Sequence, residues 1–317
     1  MLLSINYHYI RHSFDALHPS IFGVTPDQFS AQLDELGSMF EFVGSDQING
    51  SINGTSSLPN NACCITFDDG LKEQYALAWP ILESKGIPAI FHINTQPIQE
   101  KTLDLLHKNH ILRSMFSIVE LASELDQFVA INKIDISKSY NDSDVKSFKR
   151  YDPLNVARFK FIVTKILSLK QQRVFIDYCY NKMLGPNEED ASTNLYMDPE
   201  MIQILGQNGC IGVHGHSHTP FDLLTNNELI FSIDTCIETL NLWGADDINA
   251  VSYPYGIFNK NIETISQRSG ISFGFTMDRV VNSKDDIRNN PMSIARFNPN
   301  DIPFGGKFNS WEKLLHR

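Results

Sequence analysis

Basic charge is scarce in this chain. Its 317 residues carry 26 Lys and Arg against 37 Asp and Glu, a formal net charge of -11, and no stretch concentrates the positive ones. Nucleic-acid binding depends on basic patches that neutralise phosphates, so no nucleic-acid partner is expected. Long hydrophobic runs are also missing: none approaches the roughly 20 residues that span a bilayer, so no membrane span is expected. The amino terminus, Met1 to His8, has neither the basic start nor the long apolar stretch of a secretory signal, and the expectation is a cytoplasmic protein. Cysteine is sparse and odd in number, five in all, with Cys63 and Cys64 adjacent and badly placed to bridge each other. They read as small apolar residues in a reducing compartment, where the sequons at Asn53 and Asn141 carry no weight. There is no internal repeat and no low-complexity tract, and nothing sets an oligomeric state. With 42% hydrophobic and 20% charged residues, the composition is that of a globular protein.

What is present centres on Ala62-Cys63-Cys64-Ile65-Thr66-Phe67-Asp68-Asp69-Gly70. Six strand-forming residues deliver two adjacent carboxylates to a glycine turn. In barrel-type α/β folds, active sites are built at that end of the strands. Two neighbouring carboxylates repel unless a cation binds or a proton is shared. Asp-Asp-Gly also suits an ordinary turn, so the rest of the chain decides its meaning.

In chain order, Leu2 to Tyr9 reads as a first strand, and Thr25-Pro26 caps a helix through Phe29, Leu33 and Leu36. Residues 44–61 are Gly/Asn/Ser-rich and read as loop. After the central strand come a helix through Tyr75, Ala78, Trp79 and Leu82, and a strand from Ile87 to Asn94. This βαβ unit argues for a parallel sheet. Residues 97–190 break the rhythm with helical signals (Leu103–Met115, Ile118–Leu125, Val156–Leu169, Gln172–Leu184) around a charged stretch at 134–152. The α/β alternation then resumes: a helix from Asp198-Pro199, strands over 210–213, 249–253, 273–277 and 292–297, and a terminal helix over 311–316. The expectation is one α/β barrel-like domain, 1–317, with a helical insertion over 97–190.

His214-Gly215-His216-Ser217-His218 follows a strand. If the turn is helical, His214 and His218 lie on one face at i and i+4 and reach one ion. With Asp69 as a third ligand, such a set leaves positions open for water, as a catalytic metal requires. His and carboxylate donors suit Zn, although cobalt, nickel or manganese fit the same set. His107 and His110 have no partner at ligand spacing, and His92, within a strand, reads as core.

Thr66-Phe67-Asp68-Asp69-Gly70, Ile211 to His218 and Tyr253-Pro254-Tyr255-Gly256 together resemble the polysaccharide deacetylase family, carbohydrate esterase family 4, with its NodB homology domain. The similar segments are residues 62–70, 211–224 and 251–257. The resemblance implies a distorted (β/α) barrel that removes acyl groups from sugars with a divalent metal, often zinc. It makes Asp69, His214 and His218 the metal ligands and Asp68 the general base for the attacking water. The Tyr255 backbone N–H becomes the oxyanion donor, with Pro254 shaping the substrate side of that turn. The acid histidine of most members, near the carboxyl terminus, has no clear counterpart. His8 in Tyr7-His8-Tyr9 resembles the branch with an N-terminal acid histidine; His316 in Leu314-Leu315-His316 is the other candidate. The arginine that precedes the third motif in many members is also absent. Arg296 is a candidate for its contact with the base, or for binding substrate, and Asp278 for tuning the acid. The implied substrate is an N-acylated amino sugar or glycan precursor of cell-surface polysaccharide or lipopolysaccharide. A non-catalytic carbohydrate-binding or scaffolding protein and an N-formyl sugar deformylase are the alternatives.

Overall fold

The computed structural model describes residues 1–16, 23–136, 141–148 and 153–302. The expected terminal helix, and His316 with it, lie outside these. Among the described residues the chain divides into two compact units: 1–13, 23–102 and 189–302 form the first, and 14–16 with 103–188 the second.

The first unit is built on seven parallel strands: β1 (Leu2–Tyr7), β2 (Glu41–Phe42), β3 (Ala62–Phe67), β4 (Ala89–Ile93), β5 (Ile211–Val213), β6 (Ala250–Ser252) and β7 (Phe273–Phe275). Their order is β1-β3-β4-β5-β6-β7, with β2 added to the first two residues of β3. The segment expected as a last strand, 292–297, is a 3-10 turn at Pro291–Ser293 followed by two single parallel bridges, Phe275 to Ile294 and Ile5 to Phe297. Ile294 N–H donates to the Gly274 carbonyl at 2.8 Å and Phe297 N–H to that of Ser4 at 2.8 Å. One short segment therefore carries the curl from β7 back to β1, and the result is a distorted (β/α) barrel. Too few residues lie between its two bridges to form a regular ladder.

Every residue of β1, β3 and β4 is buried, because a parallel sheet is covered on both faces. Side chains alternate with period two. Leu3, Ile5, Tyr7, Cys63, Ile65, Phe67, Phe91 and Ile93 pack outward against helical residues such as Phe29, Leu33, Leu82 and Ile233. Leu2, Ala62, Cys64, Ile90, Ala250, Phe273 and Phe275 form the second cluster, inside the barrel. The helix after Thr25 forms as the spacing predicts: Pro26–Gly37, with the Thr25 hydroxyl accepting from Gln28 N–H and Phe29, Leu33 and Leu36 buried.

Two polar stretches, one of them (44–61) expected as loop, contain helices. Ser45–Ile52 is helical, with Ile48 in the inner cluster, Ile52 packed against it, and the Ser45 hydroxyl bonded to Asn249 at 2.6 Å. An i, i+4 apolar pair sufficed there amid Asn, Ser and Gly. Asp142–Phe148 is helical because the Asn141 side chain accepts from the N–H groups of Ser143 and Asp144. The other helices of the second unit are Leu105–Met115, Ile118–Ile131, Leu154–Phe161 running on into a π-helical turn at Ile162–Ile166, and Leu169–Leu184. Phe175 sits at their centre, 5.3 Å from Phe128 and 6.3 Å from Phe159 between ring centroids.

The closure predicts a stability effect of packing alone. A Cβ added at Gly274 would lie 2.3 Å from Tyr253 Oη, and that hydroxyl is held by the Met292 carbonyl at 2.8 Å. Gly274→Ala is expected to destabilise the fold by about 1–3 kcal/mol through overpacking. Denaturant midpoints measure it, and an unchanged midpoint would show that the ring yields.

Candidate active site

The inward-facing positions turn polar towards the carboxyl ends of the strands. Asn6 and Thr66 pair across β1 and β3, His92 faces Gly212 across β4 and β5, and Ser252 ends β6. Asp68 follows in the same alternation, and Arg296 enters from the closing segment. The Arg296 side chain is wholly buried. Its two terminal nitrogens each donate to one Asp68 oxygen at 2.9 Å; Nη1 also reaches Thr66 Oγ1 (3.2 Å), Nη2 reaches Ser252 Oγ (2.8 Å), and Nε reaches the Thr276 carbonyl (3.2 Å). Asn6 Nδ2 donates to Asp68 Oδ2 at 2.8 Å, and His92 Nδ1 lies 3.3 Å from Oδ1. Three hydrogen bonds thus hold one carboxylate, with the His92 ring a further polar contact at Oδ1. Burial alone would push the Asp68 pKa up, but Arg296, His214 and His92 outweigh it and hold it well below the usual carboxylate range.

Arg296 thus makes the contact with Asp68 that was one of the two expectations for it. It presents nothing to a substrate, and that half of the expectation is corrected by its burial. Pro254 is buried too, at the start of the turn Pro254–Gly256. His92 is core by burial, yet it touches the carboxylate. Asn6, Thr66, Ser252 and Gln74 were not foreseen. Period-two alternation places the first three in the barrel, a signal present in the sequence but uninterpretable before the pairing is known. Gln74, in the π-helical turn Gln74–Ala78, donates from Nε2 to the carbonyls of His8 (2.9 Å) and Asp68 (2.6 Å), tying the ends of β1 and β3 together.

Beside this carboxylate stand Asp69, His214 and His218, all buried, with one donor atom from each within 4.8 Å of the others. The two histidines do not reach each other along a helix. The loop turns back on itself through Gly215 (φ +76°) and His218 (φ +54°), and Asp69 also has positive φ (+78°). Such backbone is costly for residues other than glycine and concentrates at functional sites. His214 Nδ1 donates to the Ser252 carbonyl at 2.7 Å, so its Nε2 is the nitrogen with a lone pair to offer. Nε2 of His214 and Nε2 of His218 each lie 3.4 Å from Asp69 Oδ1. Ligands about 2.0–2.1 Å from one tetrahedral ion are separated by about 3.4 Å, so the donor set fits a cation such as zinc. Among the described residues no other group of three or more His, Cys, Asp or Glu meets the same geometry.

His8, half-buried just beyond β1, feels both acids. Burial outweighs the opposing charges of Asp69 and Asp68 and leaves its pKa below the usual histidine value. His216 turns away, its Nδ1 2.9 Å from Thr95 Oγ1. The Tyr255 ring is half-exposed and stacks on His218 at 5.1 Å, and its backbone is left-handed (φ +60°) within the turn Pro254–Gly256. Asp278 is exposed and accepts from the Thr276 hydroxyl (3.1 Å), as a turn residue does. All five cysteines are free and buried, and burial pushes the Cys64 thiol up to about 12, so no thiolate competes as nucleophile.

Buried carboxylates, histidines and open ligand positions at the mouth of a (β/α) barrel define a hydrolase-type site. Residues 173–274 match the polysaccharide deacetylase family, a span that contains His214, His218, Pro254 and Tyr255 but not the two aspartates. Among curated protein sequences none matches. Solved structures share the fold. IcaB from Ammonifex degensii is 16% identical with a TM-score of 0.57, the match covering 98% of this chain and 94% of that one. A de-N-acetylase from Aggregatibacter actinomycetemcomitans is 15% identical with a TM-score of 0.57, covering 99% of each. The Streptococcus pyogenes deacetylase PplD, in complex with acetate, is 15% identical with a TM-score of 0.53, covering 95% and 94%. Residues 173–274 thus match the polysaccharide deacetylase family, and the barrel is a fold that solved deacetylase structures share.

Removing Arg296 would leave a buried, uncompensated carboxylate. Arg296→Met is expected to lower stability by about 3–5 kcal/mol at neutral pH. In the parent, Asp68 has a depressed folded pKa. Its stabilisation is full above the unfolded value of about 3.9 and is lost as pH falls through the folded value. In the variant, burial instead raises the Asp68 pKa, and the deficit should shrink as pH is lowered from 7 towards 4. Thermal melts across that range read both slopes, and parallel curves would sink the assignment.

Proposed function

We propose that this chain is a metal-dependent hydrolase that removes an N-acetyl or related acyl group from an amino sugar or glycan precursor of cell-surface polysaccharide. The observation that carries the reading is the adjacency of an oriented carboxylate, Asp68, to the Asp69–His214–His218 trio. A divalent cation held by Asp69 and by Nε2 of His214 and His218, zinc being the best fit, would supply Lewis-acid polarisation of the acyl carbonyl and a lowered pKa for water. Asp68 takes a proton from the attacking water, while Arg296 and Asn6 keep its oxygens aimed. The Tyr255 N–H donates to the carbonyl oxygen as negative charge develops there. His8, just beyond β1 and within electrostatic reach of the two aspartates, delivers a proton to the departing nitrogen, so amine and carboxylate leave together. His8 has to be protonated for this step; burial lowers its pKa on balance, and the charges of Asp69 and Asp68 oppose that loss.

The test begins with metal. Purified protein is expected to hold about one divalent ion per chain, lost in Asp69→Ala and His214→Ala. Acetate release from a pentamer of N-acetylglucosamine, with formate release from N-formyl sugars alongside, then reads the chemistry. His8→Ala should slow release by about 10²–10⁴-fold with metal content intact. A folded protein that takes up no zinc or cobalt, yet binds the glycan, would transfer the site to a non-catalytic carbohydrate-binding role.

A further inference from the structure

His92 has a ring placed for more than packing. It lies in β4, wholly buried, edge-on to Phe275 at 5.4 Å and 73°. Opposite it on β5 stands Gly212, where an added Cβ would sit 2.5 Å from His92 Cδ2 and 3.0 Å from Nε2. The neighbouring strand thus gives up a side chain so that the imidazole can lie flat against its backbone. Nδ1 faces two acceptors, the Phe67 carbonyl at 3.2 Å and Asp68 Oδ1 at 3.3 Å. Nε2 is buried with no hydrogen-bond partner among the described residues. An imidazole with acceptors on one nitrogen only keeps its proton there, and a second proton on Nε2 would be a buried, unpaired N–H. Burial lowers the ring's pKa in the same sense.

We propose that His92 is a positioning residue for the hydrolysis, its neutral Nδ1–H bridging the Phe67 carbonyl and the Asp68 carboxylate so that the carboxylate plane is fixed to the end of β3. This rests on Asp68 acting as the base. The backbone carbonyl and the carboxylate belong to consecutive residues, so one N–H shared between them restrains rotation of the Asp68 side chain directly. Asn6 and Arg296 hold the same carboxylate from β1 and the closing segment, and His92 meets it from β4. A residue needed only to fill space would be replaced without loss by phenylalanine, which keeps the ring and the Phe275 contact.

Long-range ¹H–¹⁵N spectra of the whole chain at neutral pH, assigned by comparison with His92→Phe, test the contact without any turnover. The expected ring is neutral with its proton on Nδ1; a proton on Nε2, or on both nitrogens, overturns the proposal. Kinetics on the N-acetylglucosamine pentamer test the role. His92→Phe should lose about 10- to 100-fold in kcat, with KM within twofold and metal content and melting temperature unchanged. His92→Asn, whose amide N–H occupies the place of Nδ1–H, should recover most of that loss. Full kcat in His92→Phe, or equal losses in both variants, overturns the positioning role. A parent chain that releases no acyl group while showing the Nδ1–H ring sinks the hydrolytic reading and leaves the His92–Asp68 contact standing.

Discussion

A guanidinium with no exposed surface, clamped on a buried carboxylate, is the constraint around which this site is built. Burying either charge alone is costly, and the pair is tolerable only because every remaining hydrogen-bonding site finds a partner. Those partners come from different strands: Thr66 from β3, Ser252 from β6, the Thr276 carbonyl beyond β7, and Asn6 from β1. The barrel has to curl correctly for all of them to converge. Arg296 in turn rides on the closing segment, so completing the ring and holding the Asp68 carboxylate are one structural event.

Ser252 shows how the two halves of the site are coupled. Its hydroxyl accepts from Arg296 and its carbonyl accepts from His214. One residue at the end of β6 thereby helps hold the guanidinium on Asp68 and leaves Nε2 of His214 facing Asp69. Gln74 does comparable work through the backbone, joining the carbonyls beyond β1 and β3. The spacing between His8 and the two aspartates is therefore held by a side chain belonging to neither strand. Strained backbone at Asp69, His218 and Tyr255 fits this picture, since a densely bonded surround can hold conformations the local sequence would avoid.

Local chemistry explains which parts were legible in advance. The strand Ala62–Phe67, the Asp-Asp-Gly turn, the histidine cluster and the Thr25-Pro26 helix start all announce themselves within a few residues. Helices with weak apolar signals, such as Ser45–Ile52, were read as loop because two isoleucines were outnumbered by polar neighbours. The expected strand over 292–297 was apolar enough, but its role as a two-bridge staple follows from the distance it has to cross.

The sequence alone determined the chemistry available: two acids at a strand end, two histidines four residues apart and a tyrosine in a tight turn, because each is a short-range pattern of residue type and spacing. Only the tertiary structure decided what those groups do to one another. Arg296 lies 228 positions from Asp68, and nothing local distinguishes it from any other arginine. His92 looks like a core residue until Gly212 and Asp68 are seen beside it. Both roles depend on strand register and on the curl of the barrel, which are properties of pairing between distant segments and are written in no single stretch of chain.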